Sequence, residues 1–317
     1  MENDISFLVS PVNRTKLKYK NDNQLVDDAG NEFNIINKIP RFVKGENYAS
    51  SFGFQWNIFS QVQIDKFNGT NITRDRFYKE TRWKPDELKN EKILEVGSGA
   101  GRFTQVLLDS GADVYSIDYS NAVETNSKNN GFHENLHLFQ ANIYELPFQY
   151  EYFDKIVCFG VLQHTPDVKK AFMSMVPFLK KKGQIAIDVY PKTWKTFLWS
   201  KYWYRLFSKK LKKEKLLNII KSILPIWLPI STFFLRIPKI GFYLSQIIPN
   251  SNYTFIYPQL SKDQILQWAI MDTFDALSPE YDQPQSLSTV SKWLKEANLK
   301  TVYCGEGGTG FVAIGEK

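Results

Sequence analysis

The feature that most constrains this chain is a run of glycines closing an apolar, β-branched segment, Glu95-Val-Gly97-Ser-Gly99-Ala-Gly101-Arg102. Glycines at this spacing let the main chain turn tightly and approach a ligand closely beside a helix N-terminus, as in nucleotide-binding α/β folds. The segment opens an alternation of strand-like runs with helical patterns. The runs are KILEVG (92–97), ADVYSID (112–118), LHLFQ (136–140), DKIVCFG (154–160) and GQIAIDVY (183–190). With LKTVYC and FVAIG near the C-terminus the count reaches seven, which predicts a doubly wound, mostly parallel α/β sheet. Between the fourth and fifth runs the pattern predicts a helix capped by Thr165, with Pro166 at its first position. It carries Val168, Phe172, Met175, Val176 and Leu179 on one face and stops at Lys180–Gly183.

About 95 residues, 191–285, separate the fifth run from the last helix (Val290, Trp293, Leu294, Ala297), where a connection of two to six is usual. The predicted organisation is therefore a small N-terminal β segment (1–45), a core built from 46–190 and 286–317, and an inserted helical subdomain (191–285). The insertion's longest uncharged apolar stretch, 222–235, holds Pro225 and Pro229 and falls short of the ~18–20 residues of a membrane span, so no transmembrane helix is expected. The net charge of +7 is uneven, because ten Lys or Arg stand against one acid between Lys192 and Lys221. The rest of the chain is slightly acidic, unlike the broad basic face of a nucleic-acid binder. Two cysteines, Cys158 and Cys304, make no disulfide framework, and the acidic N-terminus has no signal-peptide pattern, so a cytoplasmic location is expected.

Spacing narrows the ligand. A dinucleotide fingerprint needs its third glycine at position 102, where this chain has Arg102. The glycines run G-x-G-x-G instead, and Asp118 follows Gly97 by 21 residues at the end of the second strand, placed to accept from ribose hydroxyls. An adenosyl cofactor is the expectation.

With EVGSGAGRF, the SID ending at Asp118, ANIYELPF (141–148) and FDKIVCFGVLQHTPD (153–167), the chain resembles the class I S-adenosylmethionine-dependent methyltransferases, whose signature is E/D-x-G-x-G-x-G. The resemblance implies that Glu95 anchors the loop and the cofactor amino group, and that Gly97, Ser98, Gly99 and Gly101 line the methionine part. Asp118 takes the ribose, Tyr119 packs on adenine, Asn142 and Ile143 meet the adenine edge, and Phe159 completes the pocket. Asn142 stands where such enzymes usually carry Asp; its amide oxygen can accept the same bond without charge. His164 is the candidate general base, or alternatively a shaper of the pocket. His133 and His137 are read as surface or packing residues.

Residues 7–43 resemble a zinc ribbon with Ser10, Asn13, Val26 and Ala29 at the ligand positions, or else form an unrelated β-strand pair; neither predicts a metal. Phe52, Phe54 and Trp56 are candidates to cover the cofactor. Trp56, Tyr190, Asp275 and Tyr281 are candidates to meet the acceptor, the last two in a polar stretch (272–286) read as a loop entering the last helix. The insertion is read as a lid over the acceptor, its first aromatic segment being a helix buried on most sides, with peripheral membrane contact through 192–221 as a second role. The expected activity is methyl transfer from S-adenosylmethionine to a small-molecule, glycan or lipid-linked acceptor. Methylation of RNA and a catalytically silent binding role are the alternatives.

Overall fold

The computed structural model describes residues 4–45, 47–131, 133–194, 196 and 199–317. Lys195, Phe197 and Leu198, in the basic aromatic segment, lie outside them. The N-terminal part is an antiparallel meander of β1 (Leu17–Asn21), β2 (Gln24–Asp27), β3 (Glu32–Ile36) and β4 (Ile39–Pro40). Three helices follow, α1 (Ser50–Ile58), α2 (Asp65–Asn68) and α3 (Ile72–Thr81). The core then alternates β5 (Lys92–Val96), α4 (Arg102–Asp109), β6 (Asp113–Asp118), α5 (Val123–Asn130), β7 (Leu136–Gln140), β8 (Phe153–Cys158), α6 (Val168–Met175) and β9 (Leu179–Val189). After β9 come α7 (Ser200–Ser208), α8 (Lys213–Leu235), α9 (Gly241–Ser245) and α10 (Lys262–Leu277), and then α11 (Leu287–Glu296), β10 (Lys300–Glu306) and β11 (Phe311–Glu316).

The seven core strands form one sheet in the order β10-β11-β9-β8-β5-β6-β7, with β11 antiparallel to both neighbours and the rest parallel. Four of the five residues of β5 and five of the six in β6 are buried, as helices on both faces of a parallel sheet require. The order reverses at β5, which has β6 on one side and β8 on the other. Ligands bind such sheets in the crevice beyond the carboxyl ends of the strands at this reversal.

The N-terminal meander is fastened to the far edge of this sheet. Leu8 bridges Phe148, Arg41 bridges Gln140, and Phe7 packs edge-on against Tyr115 at 5.1 Å. In this meander Ser10 is buried and bonds the carboxylate of Asp27, which also accepts from Ala29 and Asn31. Burial alone would raise the Asp27 carboxyl, yet these donors hold it down at about 2. Hydrogen bonds thus close the turn.

Several local expectations need correction. The N-cap of α6 is Asp167, whose side chain accepts from Lys170 N, while Thr165 donates to the Leu162 carbonyl. The helix ends at Met175 rather than Leu179, because Pro177 lacks the N–H that would continue it; a 3-10 turn carries the chain to Leu179, already the first residue of β9. Asp272 and Asp275 stand on the last turns of α10 and not in a loop. The helix α8 does not break at Pro225 and Pro229: it runs for 23 residues and is long and apolar enough, by length and composition, to cross a membrane. Both prolines and Lys221 are exposed, so the Lys221 and Pro225 carbonyls that lose their helical donors are open to water. The first aromatic helix, α7, is not buried on most sides either; it buries Ser200, Arg205 and Ser208 and turns its aromatic face outward.

Between β9 and α11 the ends of the insertion meet: Pro191 bridges Gln285, whose N–H donates to the Tyr190 carbonyl. Its helices share a core of Leu216, Leu217, Ile220, Leu224, Trp268, Met271 and Phe274, which continues into Phe59 and Ile72 of the segment before β5. This places α1 between the insertion and the carboxyl edge of the sheet.

Candidate active site

The turn from β5 into α4 is built on left-handed backbone at Gly97 (φ 79°) and Gly99 (φ 53°), a region other residues occupy at a cost. A Cβ added at Gly97 would overlap Val161, and one at Gly99 would meet the Trp56 indole nitrogen at 2.9 Å. The turn is also tied from below. Gly97 and Ser98 donate to the Ile117 carbonyl (2.8 and 3.0 Å), and Gly99 N donates to the Asp118 carboxylate at 2.8 Å. The other Asp118 oxygen accepts from Ser120 N and Oγ. Burial pushes the Asp118 carboxyl above its usual range against the pull of these donors.

Beneath the turn, Glu95 is buried and accepts from Thr104 and from Ser116 Oγ at 2.7 Å through one oxygen, while the other has no partner. Burial raises its carboxyl to about 7 despite those donors. Glu95 braces the start of α4 and is not among the residues lining the cavity above.

That cavity lies at the sheet reversal. It is lined by the glycine turn, Asp118 and Tyr119 after β6, Ala141 and Ile143 after β7, and Phe159 to Val161 after β8. Helix α1 closes it with Phe52 and Trp56, held over the edge by Thr125 Oγ1 donating to Asn57 (2.6 Å) and Asn47 donating to the Tyr119 carbonyl. Phe54 turns the other way, onto Phe274 of the insertion at 5.7 Å. Asn142 is not a lining residue; its amide oxygen accepts from Tyr144 N at 3.2 Å. His137 pairs with Asp113 at 2.9 Å on the edge of the sheet, and His133 bonds Asn135 N, neither of them lining this cavity.

His164 lines the same cavity, buried against Phe52 and Tyr190 at 4.9 and 5.4 Å. Its Nδ1 lies 3.0 Å from the Tyr281 carbonyl. A carbonyl only accepts, so Nδ1 carries the proton, and in the neutral ring Nε2 keeps its lone pair. Nε2 has no hydrogen-bond partner, and neither does the buried Ser98 Oγ. A polar ligand in this cavity would satisfy Ser98 Oγ, so the residues present fit an adenosyl cofactor, and Nε2 stays open to a further group. Tyr281 acts here through its main chain; its ring packs on Tyr48.

A second, larger cavity adjoins the first. Trp56, Gln63, Arg102, Gly160 and Asp275 line both. Its far wall comes from the insertion and from the turn before β11, with Arg76, Tyr190, Tyr253 and Asp272 among its polar groups. Tyr190 donates to Asp275 at 3.2 Å, and burial beside that carboxylate pushes its phenol well up, so Tyr190 stays a donor. Burial and the nearby Asp275 raise the Asp272 carboxyl to about 6, although Tyr253 donates to it. Arg76 is neutralised by Glu80 and Asp188 at 3.1 and 2.8 Å. Arg102 donates to Gln63 and makes no ion pair among the described residues. Burial and Arg76 both push its guanidinium below its ordinary value.

Tyr190, Asp275 and Trp56 thus meet as expected candidates, while Arg102, Asp272, Tyr253 and Gln63 were not anticipated. Arg102 was visible only as the residue that breaks the dinucleotide pattern.

The sheet order and the glycine turn at its reversal define a Rossmann-like methyltransferase domain. Residues 94–187 match the family described as "Methyltransferase domain", so this part of the chain is a methyltransferase domain. It is 33% identical over 105 residues to a ubiquinone/menaquinone biosynthesis C-methyltransferase, UbiE, of Vibrio parahaemolyticus, covering 31% of this chain and 40% of that protein. It is 27% identical over 115 residues to a ubiquinone biosynthesis O-methyltransferase of Coxiella burnetii, covering 36% and 49%. The chain therefore spans less than half the length of the curated relatives it matches. Magnesium protoporphyrin IX methyltransferase (ChlM) from Synechocystis, solved with bound S-adenosylhomocysteine, superposes with a TM-score of 0.46 at 13% identity, over 85% of this chain and 95% of that one.

The state of Glu95 gives a measurable consequence. A carboxyl whose folded pKa lies above its unfolded value takes up a proton on folding, so stability falls as pH rises from about 4.5 to about 7 and is level above that. The loss is on the order of 3 kcal/mol. Urea unfolding across this range should show the slope in the wild type, and Glu95→Gln should reduce it by that amount, leaving the part that other raised carboxyls such as Asp272 contribute; an unchanged slope in the variant would show that Glu95 is not a source of it.

Proposed function

We propose that this protein transfers a methyl group from S-adenosylmethionine, held in the smaller cavity, to a small-molecule acceptor held in the larger one. The observation that carries the reading is the seam: Trp56, Gln63, Arg102, Gly160 and Asp275 face both cavities, so two ligands would meet there without crossing solvent. When bound, the cofactor supplies an electrophilic sulfonium methyl. The glycine turn and Ser98 would take its methionine part. Asp118 would accept from the ribose through lone pairs that Gly99 and Ser120 leave free, and Tyr119 and Ile143 would flank the adenine. Asn142 serves by shaping the turn that presents Ile143.

The chain's own contribution is alignment and exclusion of water. Trp56 and Phe52 roof the cofactor side, and the insertion walls the acceptor side. Tyr190 and Asp275 form a donor–acceptor pair at the seam that can orient a hydroxyl. Arg102, in no ion pair among the described residues, can take an anionic group entering there. His164 has its proton fixed on Nδ1 by the Tyr281 carbonyl, so Nε2 is free to accept the acceptor's proton as general base. The relatives named for ubiquinone and menaquinone biosynthesis support a small-molecule acceptor.

Two measurements test this reading. Calorimetry with S-adenosylmethionine should detect binding to the wild type and none to Gly99→Arg, whose side chain would project into Trp56 and the cofactor space; retained affinity in the variant would remove the glycine turn from the cofactor site. Incubation with small-molecule fractions of a cell extract should release S-adenosylhomocysteine. His164→Ala should lower that release by about 10²–10⁴-fold with cofactor affinity unchanged. Cofactor binding with no release against any fraction would instead favour a catalytically silent protein.

A further inference from the structure

Helix α7 is oriented opposite to an ordinary surface helix. Its buried residues are Ser200, Arg205 and Ser208. Arg205 donates to the Ala276 and Pro279 carbonyls at 3.0 and 2.8 Å, and Ser208 donates to the Leu277 carbonyl at 2.8 Å. These bonds satisfy the open C-terminal end of α10 and fix the rotation of α7. Trp203, Leu206 and Phe207 are thereby held toward solvent, Trp203 at 63% and Phe207 at 75% exposure.

The neighbouring helices continue the pattern. On α8 the exposed Ile219, Ile226, Ile230 and Phe233 fall at helical spacing on one face, opposite the buried Leu217, Ile220 and Leu224 that pack with α10. Phe242 and Ile247 are exposed on and just after α9. Among the described residues, 15 of the 21 exposed large apolar side chains belong to the insertion, so the surface is a property of this subdomain and not of the fold at large.

Charge identifies what covers it. Lys209, Lys210, Lys212 and Lys215 are exposed at the end of α7 and the start of α8, and Glu214 is the one acid in the stretch. Protein interfaces are depleted in lysine at their cores, whereas exposed aromatics bordered by lysines suit the headgroup layer of an anionic bilayer. The buried stripe of α8 belongs to the subdomain core, so the helix lies on such a layer instead of spanning it.

We propose that the insertion docks this protein on an anionic lipid bilayer through the outward faces of α7, α8 and α9. Trp203, Leu206 and Phe207 enter the interface, and the lysines meet the lipid phosphates. Ile256, which lines the larger cavity, is 61% exposed and belongs to the same subdomain. The docking rests on the insertion's surface alone and does not require the methyl-transfer reading.

Co-sedimentation of the full chain with phosphatidylcholine vesicles, with and without phosphatidylglycerol, tests it. Binding should require the anionic lipid and weaken as salt is raised. The double variants Trp203→Ser with Phe207→Ser, and Lys209→Glu with Lys210→Glu, should each lose about tenfold or more in affinity. All four positions are exposed, and an unchanged circular-dichroism melt checks that each variant is folded. A wild type that stays in the supernatant with anionic vesicles, or double variants that bind as tightly as it does, would overturn the proposal. So would a stable dimer in light scattering that the Trp203/Phe207 variant dissociates, since a second copy would then be what covers the face.

Discussion

The site depends on one hydrogen-bonded junction, the carboxylate of Asp118 accepting from Gly99 N across the gap between the ends of β5 and β6. A glycine turn in left-handed backbone has many alternatives in the unfolded chain and little side-chain packing to select one. Here the selection comes from the strand next door. Ile117 takes the Gly97 and Ser98 amides and Asp118 takes that of Gly99, so the parallel pairing of β5 with β6 also sets the shape of the turn. The buried Glu95, bonded to Thr104 and Ser116, then joins the turn's two flanking elements from below. Above it Trp56 packs directly on the turn, close enough that no Cβ fits at Gly99, so only glycine is accommodated there.

The insertion solves a different problem. Its polar residues are spent inward, on the carbonyl end of α10, and its aromatics outward, which is the arrangement the proposed bilayer docking uses. The same α10 presents Asp272 and Asp275 to the larger cavity. One helix therefore links the wall of the larger cavity to the outward surface: its C-terminal carbonyls hold α7, Asp275 faces the seam, and Asp272, raised to about 6 by burial, lines the larger cavity alone.

Much of the core was legible in the sequence because a parallel strand covered on both faces must be apolar throughout. Ile93, Leu94, Val114 and Ile156 read as strand residues for the reason they are buried. Asp118 and the glycines were legible because turn chemistry is local. The end of α6 was misread because the lysines and Gly183 look like a helix stop, while the physical stop, Pro177, lies earlier and the lysines begin a strand. The continuity of α8 was hidden because its prolines lie on an exposed face where unpaired carbonyls are tolerated. The larger cavity could not be read at all. Arg76, Arg102, Tyr190, Tyr253, Asp272 and Thr309 are brought together by tertiary packing across more than two hundred residues, and no local pattern marks them as neighbours. Asn142 shows the limit from the other side, since the residue read as an adenine contact has its side-chain oxygen committed to a turn and does not line the cavity.

The most direct test of the account is a crystal structure with S-adenosylhomocysteine. The account predicts density for the nucleoside between the glycine turn and Tyr119, with its ribose on Asp118 and its sulfur directed toward the seam shared by Trp56 and Asp275. Product bound elsewhere, or in the cavity with its sulfur turned away from that seam, would contradict it.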